Sequence, residues 1–253
     1  MYFDSHAHLD DHAFDNDREA LLAALPGKSV DSVLIPGCDL QSSRAAAEIA
    51  EAHEGIWFAA GWHPQESATW SEEAFTELEE LFVRRKCCAV GEIGLDYYWD
   101  TERKEEQKQM LHVQLSFAAE RNLPVIIHDR EAHGDILEIV RQYSGLSGVF
   151  HCFSGSMEMA EMLLKMGWYL GFDGPVTYKN AKKVMGVLQI CPMERILIET
   201  DSPYLPPVPL QGQRNDPGNL CFICQKIAEI KGVTLEEAAQ ATSKNARQLF
   251  GIA

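Results

Sequence analysis

The chain has 253 residues, 46% of them hydrophobic, and a formal charge of -16 at pH 7. That length supports one large core or two medium ones, and the acidic balance excludes a protein that grips duplex DNA through a broad basic face. Seven cysteines, an odd number with an adjacent pair at Cys87 and Cys88, are unsuited to a disulfide framework.

Short apolar runs alternate with helically spaced segments from end to end. The chain opens MYFDSHAHLDD, and strands are expected at residues 2–5, 32–35, 56–60, 88–90, 125–127, 149–150, 168–172 and 196–198. Helical spacing covers 17–24, 42–52, 71–85, 102–121, 132–143, 157–166 and 180–189, with two more helices from about 218 to 231 and from Thr234 onward. Thr234-Leu235-Glu236-Glu237 has the pattern of a capping box. Eight strand and helix units in about 250 residues match a (β/α)8 TIM barrel with an extra C-terminal helix, although an open doubly wound sheet is the alternative. No linker, low-complexity block or short repeat divides the chain, so a single domain over residues 1–253 is expected. The N-terminus reaches Asp4 and His6 without a basic segment and apolar stretch, and no run approaches membrane-spanning length. The expectation is a cytoplasmic monomer with no membrane partner.

What favours a closed barrel, besides the count, is where the polar residues fall. The first strand ends in His6 and His8, whose side chains leave the same face of an extended chain and can reach one ion; two surface histidines are the bland alternative. The third strand runs into Gly61-Trp62-His63-Pro64, and the fourth ends in Val90-Gly91-Glu92. The fifth ends in His128, the sixth in His151, and the eighth in Glu199-Thr200-Asp201. One histidine at a strand end is usually structural. So many together point to a metal site at the C-terminal mouth of a barrel.

The stretches DSHAHLD, GWHP, VGEIGLDYY, LPVIIHDREA, HCFSG, ETDSPYLPPVP and GQRNDP, in this order, resemble the TatD family of metal-dependent deoxyribonucleases, within the wider amidohydrolase-type barrels. The resemblance implies six metal ligands, His6, His8, Glu92, His128, His151 and Asp201. Glu92 would bridge two divalent ions, with His6, His8 and Asp201 on one and His128 and His151 on the other. Two such ions with two carboxylates and neutral imidazoles leave the site net positive, able to polarise a phosphoryl oxygen and acidify water. Asp201 and Glu92 are then the catalytic carboxylates, with Asp201 the candidate general base. His63, Arg214 and Asn215 are implied to meet a substrate phosphate. Basic residues common in the family are replaced here by Gln211 and Gln213. The ions are magnesium by family habit, whereas four imidazoles favour manganese, zinc or nickel.

The expected activity is hydrolysis of DNA phosphodiester bonds, trimming single strands from their 3′ ends. An amide, lactone or acyl-ester hydrolase on the same two-metal barrel is the second reading, because activated water attacks a carbonyl as readily as phosphorus. A noncatalytic metal or nucleic-acid binding protein is the third. Tyr97-Tyr98-Trp99 follow the fourth strand, placed either to stack on an unpaired base or to pack their loop. Arg130 is placed either to enter the mouth or to pair with Asp129 or Glu131. Cys221-x-x-Cys224 reads as buried thiols, and Met157, Met159, Met162 and Met166 as core filling. His12, His53, His112 and His133 lie away from strand ends and stay outside the site.

Overall fold

The computed structural model describes residues 1–252. Eight strands alternate with helices among them: β1 (Tyr2–Asp4), α1 (Arg18–Ala24), β2 (Val30–Pro36), α2 (Leu40–Ala52), β3 (Ile56–Ala60), α3 (Glu72–Glu79), β4 (Cys87–Asp96), α4 (Lys104–Arg121), β5 (Val125–Arg130) and α5 (His133–Val140). They continue with β6 (Gly148–Phe150), α6 (Met157–Lys165), β7 (Tyr169–Phe172), α7 (Lys182–Ile190), β8 (Ile196–Ile198), α8 (Leu220–Lys231) and α9 (Leu235–Phe250). The sheet has the order β1 to β8, and its pairs are parallel. Each strand is thus followed by a helix, and α9 is the additional one.

Two strands run past their expected ends. β4 continues through Gly91 and Glu92 to Asp96, and β5 continues to Arg130. The segment Gly-Glu-Ile-Gly-Leu-Asp has weak strand propensity, yet pairing of Ile93 to Asp96 with Ile127 to Arg130 overrides it. A register shift between Val90 and Ile93 accommodates the change. Glu92 and His128 therefore sit inside strands rather than at their ends. Gly94 has φ 155, and a Cβ there would fall 1.9 Å from the His128 carbonyl oxygen, so the close approach of β4 to β5 requires glycine.

The chain divides into two compact units, one formed by residues 1–35 with the chain from Cys152 onward, the other by Pro36–His151. In the first, Phe3, Leu34, Trp168 and Phe172 are buried, and α9 packs on β1 and β8. Ala238, Thr242, Asn245, Ala246, Leu249 and Phe250 recur at three and four residues and give α9 its buried face. Its start is the expected capping box, with Thr234 Oγ1 accepting from Glu237 N at 3.2 Å and Glu237 Oε2 accepting from Thr234 N at 2.8 Å. Buried Asn245 donates to the carbonyls of Met193 (2.7 Å) and Ile196 (2.9 Å), and Ser243 Oγ accepts from Phe3 N (3.1 Å). One helix thereby fixes where β1 and β8 begin.

In the second unit, Phe58, Leu78, Ile93, Leu95, Leu111 and Ile127 are buried, and α4 packs on β4. Two fully buried glutamines of α4 make specific bonds instead of packing. Gln114 exchanges hydrogen bonds with Trp62 N (2.7 Å) and Trp62 O (3.0 Å). Gln107 does the same with Asp96 N (2.9 Å) and Asp96 O (3.2 Å), so α4 sets the chain leaving both β3 and β4.

The methionines of α6 depart from expectation. Only Met159 is fully inside, because the buried positions are Met159, Ala160 and Leu163, which turns Met157 to the solvent face together with Met166 just past the helix. The cysteines are free, Cys224 buried and Cys221 partly so. No described helix is long and apolar enough to cross a membrane.

Replacing Thr234 with alanine removes the α9 cap and is expected to cost about 1 kcal/mol of unfolding free energy. Asn245→Ala strands two carbonyls at the start of β8 and is expected to cost about 1–3 kcal/mol, both read as lower urea midpoints with unchanged m-values.

Candidate active site

In the first unit, backbone bonds stitch the exit of β1 to the exit of β8. Ser5 N donates to Ile198 O (3.1 Å), Asp201 N to His6 O (2.9 Å) and His8 N to Ser202 O (2.8 Å). Asp201 adopts a left-handed conformation, φ 53, which aspartate tolerates better than most residues. Asn215 secures the same segment. Its Nδ2 donates to Thr200 O and Tyr204 O, both at 2.8 Å, and its Oδ1 accepts from Asp216 N (3.0 Å) and Asn219 Nδ2 (2.9 Å), so its whole hydrogen-bonding capacity is used inside the protein.

The result is a compact set of ligand atoms. His6 Nε2 and His8 Nε2 are 3.2 Å apart, and Asp201 Oδ1 lies 3.6 Å from the first and 3.4 Å from the second. Two buried acids orient this set. Asp4 accepts from Thr200 N (3.0 Å), Thr200 Oγ1 (2.6 Å) and His6 N (3.2 Å); burial outweighs these bonds and pushes its carboxyl up to about 7. Glu199 accepts from Ser5 Oγ (3.1 Å) and Cys152 N (2.5 Å). A Cβ at Gly171 would lie 2.6 Å from the Glu199 carboxylate, so glycine is what makes room for that acid.

In the second unit, Glu92 N donates to Gly37 O (2.7 Å), His63 N to Cys38 O (2.8 Å) and His151 N to Ile127 O (3.0 Å). Three imidazoles then converge on one carboxylate oxygen. Glu92 Oε1 is 2.8 Å from His128 Nδ1, 2.8 Å from His151 Nε2 and 3.4 Å from His63 Nε2, and His128 Nδ1 is 3.2 Å from His151 Nε2. His128 turns its other nitrogen to Asp96 Oδ2 at 3.2 Å. Burial opposes charge on the His128 ring, but the hydrogen bonds to Asp96 and Glu92 outweigh it and raise its pKa. Burial also works against the Asp96 carboxylate, whereas His128, Trp99 N and Gln65 hold it down to about 2. For His63, burial lowers the pKa, and Gln65 N donates to Nδ1 at 3.2 Å, so the neutral ring carries its proton on Nε2.

Both sets fit divalent ions. Ligand atoms sharing a tetrahedral ion at about 2.1 Å are about 3.4 Å apart, and those on an octahedral edge about 3.0 Å. The first set spans 3.2 to 3.6 Å, and the His128, His151 and Glu92 atoms span 2.8 to 3.2 Å. Grouping of His6, His8 and Asp201, and of His63, Glu92 and His128, follows equally from mutual proximity of their ligand atoms. His63, expected either to face substrate or to hold its own loop, accepts from Gln65 N at Nδ1 and turns its protonated Nε2 toward Glu92 Oε1 at 3.4 Å, beside the second set as a donor.

The remaining expected residues are placed otherwise. Arg214 is held in its unit by Asp17, with Nη1 to Oδ1 at 2.8 Å and Nη2 to Oδ2 at 2.6 Å, and its guanidinium lies 4.6 Å over Phe14. Arg130 pairs with neither Asp129 nor Glu131 in the expected way but lies 4.2 Å over the Tyr98 ring. Sequence reasoning assigned no role to Asp4, Asp96 or Glu199. A signal existed for two of them: Asp4 precedes His6 by two residues, and Asp96 follows Glu92 by four, the spacings at which an extended chain repeats its face.

Comparison with known proteins agrees with this geometry. The family profile described as "TatD related DNase" matches residues 3–251. The chain is 41% identical to the uncharacterized metal-dependent hydrolase YabD of Bacillus subtilis, covering 100% of both chains. It is 34% identical to the 3'-5' ssDNA/RNA exonuclease TatD of Escherichia coli K12, covering 99% of each. The crystal structure of YjjV, a TatD homolog from Escherichia coli K12, matches with TM-score 0.94 and 31% identity over 100% of this chain and 98% of that one, which with eight parallel strands in chain order makes the fold a (β/α)8 barrel. A whole-length profile match, a relative at 41% identity and two carboxylate and imidazole sets spaced for divalent ions lead to one assignment: the chain is a metal-dependent hydrolase belonging to the TatD-related DNase family.

Proposed function

We propose that this hydrolase cleaves phosphodiester bonds at the 3′ ends of single-stranded DNA, with one divalent ion at each ligand set, His6, His8 and Asp201 in one and Glu92, His128 and His151 in the other. The observation that carries the reading is the spacing of ligand atoms at 2.8 to 3.6 Å in both sets. The 34% identical exonuclease from Escherichia coli supports the choice of strand, as does a charge of -16, which is poorly suited to a long duplex footprint.

Bound divalent ions supply positive charge that polarises a phosphoryl oxygen and acidifies water near neutral pH. The protein's own part is positional. Asp201 directs Oδ1 at both histidines, and its second oxygen is the base that takes the proton of the attacking water. His63, with its proton on Nε2, donates toward charge developing on the phosphate. Asp96 keeps the His128 ring turned with Nδ1 inward, and Asp4 and Glu199 hold the backbone of β1 and the β8 exit rigid beneath His6 and Asp201.

A second reading, hydrolysis of an amide, lactone or acyl ester, is favoured by one observation. Arg214, the expected phosphate contact, is engaged two-pronged by Asp17.

Metal-stripped protein is expected to leave 5′-labelled single strands intact and, once restored separately with magnesium, manganese or zinc, to shorten them stepwise from the 3′ end. Absence of cleavage with every ion, together with turnover of small esters, lactones or amides, would establish the second reading instead. Asp201→Asn is expected to lower kcat by about 100-fold or more. Asp96→Asn should weaken metal affinity by about 10- to 100-fold in calorimetric titration, because the His128 ring loses its orienting carboxylate.

A further inference from the structure

Beyond the ligand sets, the second unit presents an aromatic surface whose construction is costly and specific. Tyr98 is 57% exposed and Trp99 64% exposed, their rings edge to face at 4.9 Å. The Arg130 guanidinium lies 4.2 Å from the Tyr98 ring centroid and 5.5 Å from that of Trp99. Two large aromatic side chains left in water side by side forgo the gain of burial and form a contiguous exposed patch.

This loop is pinned so that they stay out. Asp96 Oδ1 accepts from both Tyr98 N and Trp99 N at 3.0 Å. Tyr97, by contrast, is anchored: its hydroxyl donates to Asp135 Oδ2 (2.8 Å), Lys104 Nζ sits 4.2 Å over its ring, and its N–H donates to Arg130 O (2.9 Å). Gln107 Nε2 reaches Asp96 O (3.2 Å) and Asp100 O (3.3 Å), closing the loop from the helix side.

The same carboxylate that holds the aromatic backbone also holds the metal-facing histidine, since Asp96 Oδ2 lies 3.2 Å from His128 Nε2. Arg130 follows His128 by two residues on β5, the spacing that repeats a face, and is in register with Asp96. Aromatic faces, an adjacent guanidinium and continuity with the ligand set are what an unpaired nucleobase needs. Resting on the nuclease reading, we infer that Tyr98, Trp99 and Arg130 form a stacking subsite for a base of the single strand under cleavage, and that Asp96 keeps this subsite aligned with His128. Trp99 and Tyr98 hold substrate and take no part in bond breaking, so they act on KM.

The test compares a natural single strand with strands of the same sequence carrying an abasic residue at the last or the next-to-last 3′ position. Unsubstituted protein is expected to show a KM about tenfold or more lower for the natural strand than for one of the abasic strands. Trp99→Ala should abolish that preference by raising KM for the natural strand to the value for the abasic strand, Trp99→Phe should keep most of it, and Arg130→Ala should reduce it. The inference is overturned if the unsubstituted protein makes no such distinction, if Trp99→Ala retains it, or if Trp99→Ala slows natural and abasic strands alike, which marks a loop-shaping role. Failure of the unsubstituted protein to cleave any strand with any ion overturns the nuclease reading itself, a result distinct from cleavage without base preference.

Discussion

Turning three histidine rings onto one buried carboxylate, Glu92, sets the terms for the second unit. A carboxylate in a dry interior costs several kcal/mol unless positive charge or donors meet it. Here Oε1 faces imidazole nitrogens at 2.8, 2.8 and 3.4 Å, groups that are ligands as readily as donors. The first unit solves a related problem with His6, His8 and Asp201, where two nitrogens and an oxygen face one another at 3.2 to 3.6 Å. Nitrogens and a carboxylate oxygen held so close need a shared proton or a cation among them. The scaffold must therefore be stiff enough to hold them in place.

That stiffness comes from polar groups one step behind the ligands. In the first unit, Asp4 ties His6 N to Thr200, Glu199 ties Ser5 to Cys152, and Asn215 spends all its hydrogen bonds on the loop that carries Asp201. In the second, Gln107 and Gln114 reach from α4 to the chain leaving β4 and β3. Each is buried, so breaking one of these bonds leaves a partner without water to replace it. The arrangement that fixes the ligands thus also stabilises the fold, and catalysis needs both.

Asp96 joins chemistry to recognition in the second unit. One of its oxygens orients the His128 ring and the other gathers the backbone of Tyr98 and Trp99. An acidic protein cannot rely on long-range attraction to collect a polyanion. On the nuclease reading proposed above, local devices would take its place: the exposed Tyr98 and Trp99 rings beside the Arg130 guanidinium, and cations at the candidate ligand sets.

Most of this was legible in order rather than in depth. Alternating apolar runs and helical spacing determined eight strands and nine helices, because both periodicities are local properties of the chain. His6, His8, His128, His151 and Asp201 stood out because each follows an apolar run, a pattern a sequence displays directly. Only the tertiary structure decided that β4 and β5 run on past Val90 and Ile127, since pairing between strands overrode a glycine-rich and acidic segment. It alone turned His63 toward Glu92, committed Arg214 to Asp17, turned Asn215 inward and made Asp96 an orienting group. Those roles depend on which side chains meet across distant segments of chain, and a hydrogen-bond partner two strands away leaves no trace in the spacing of its own neighbours.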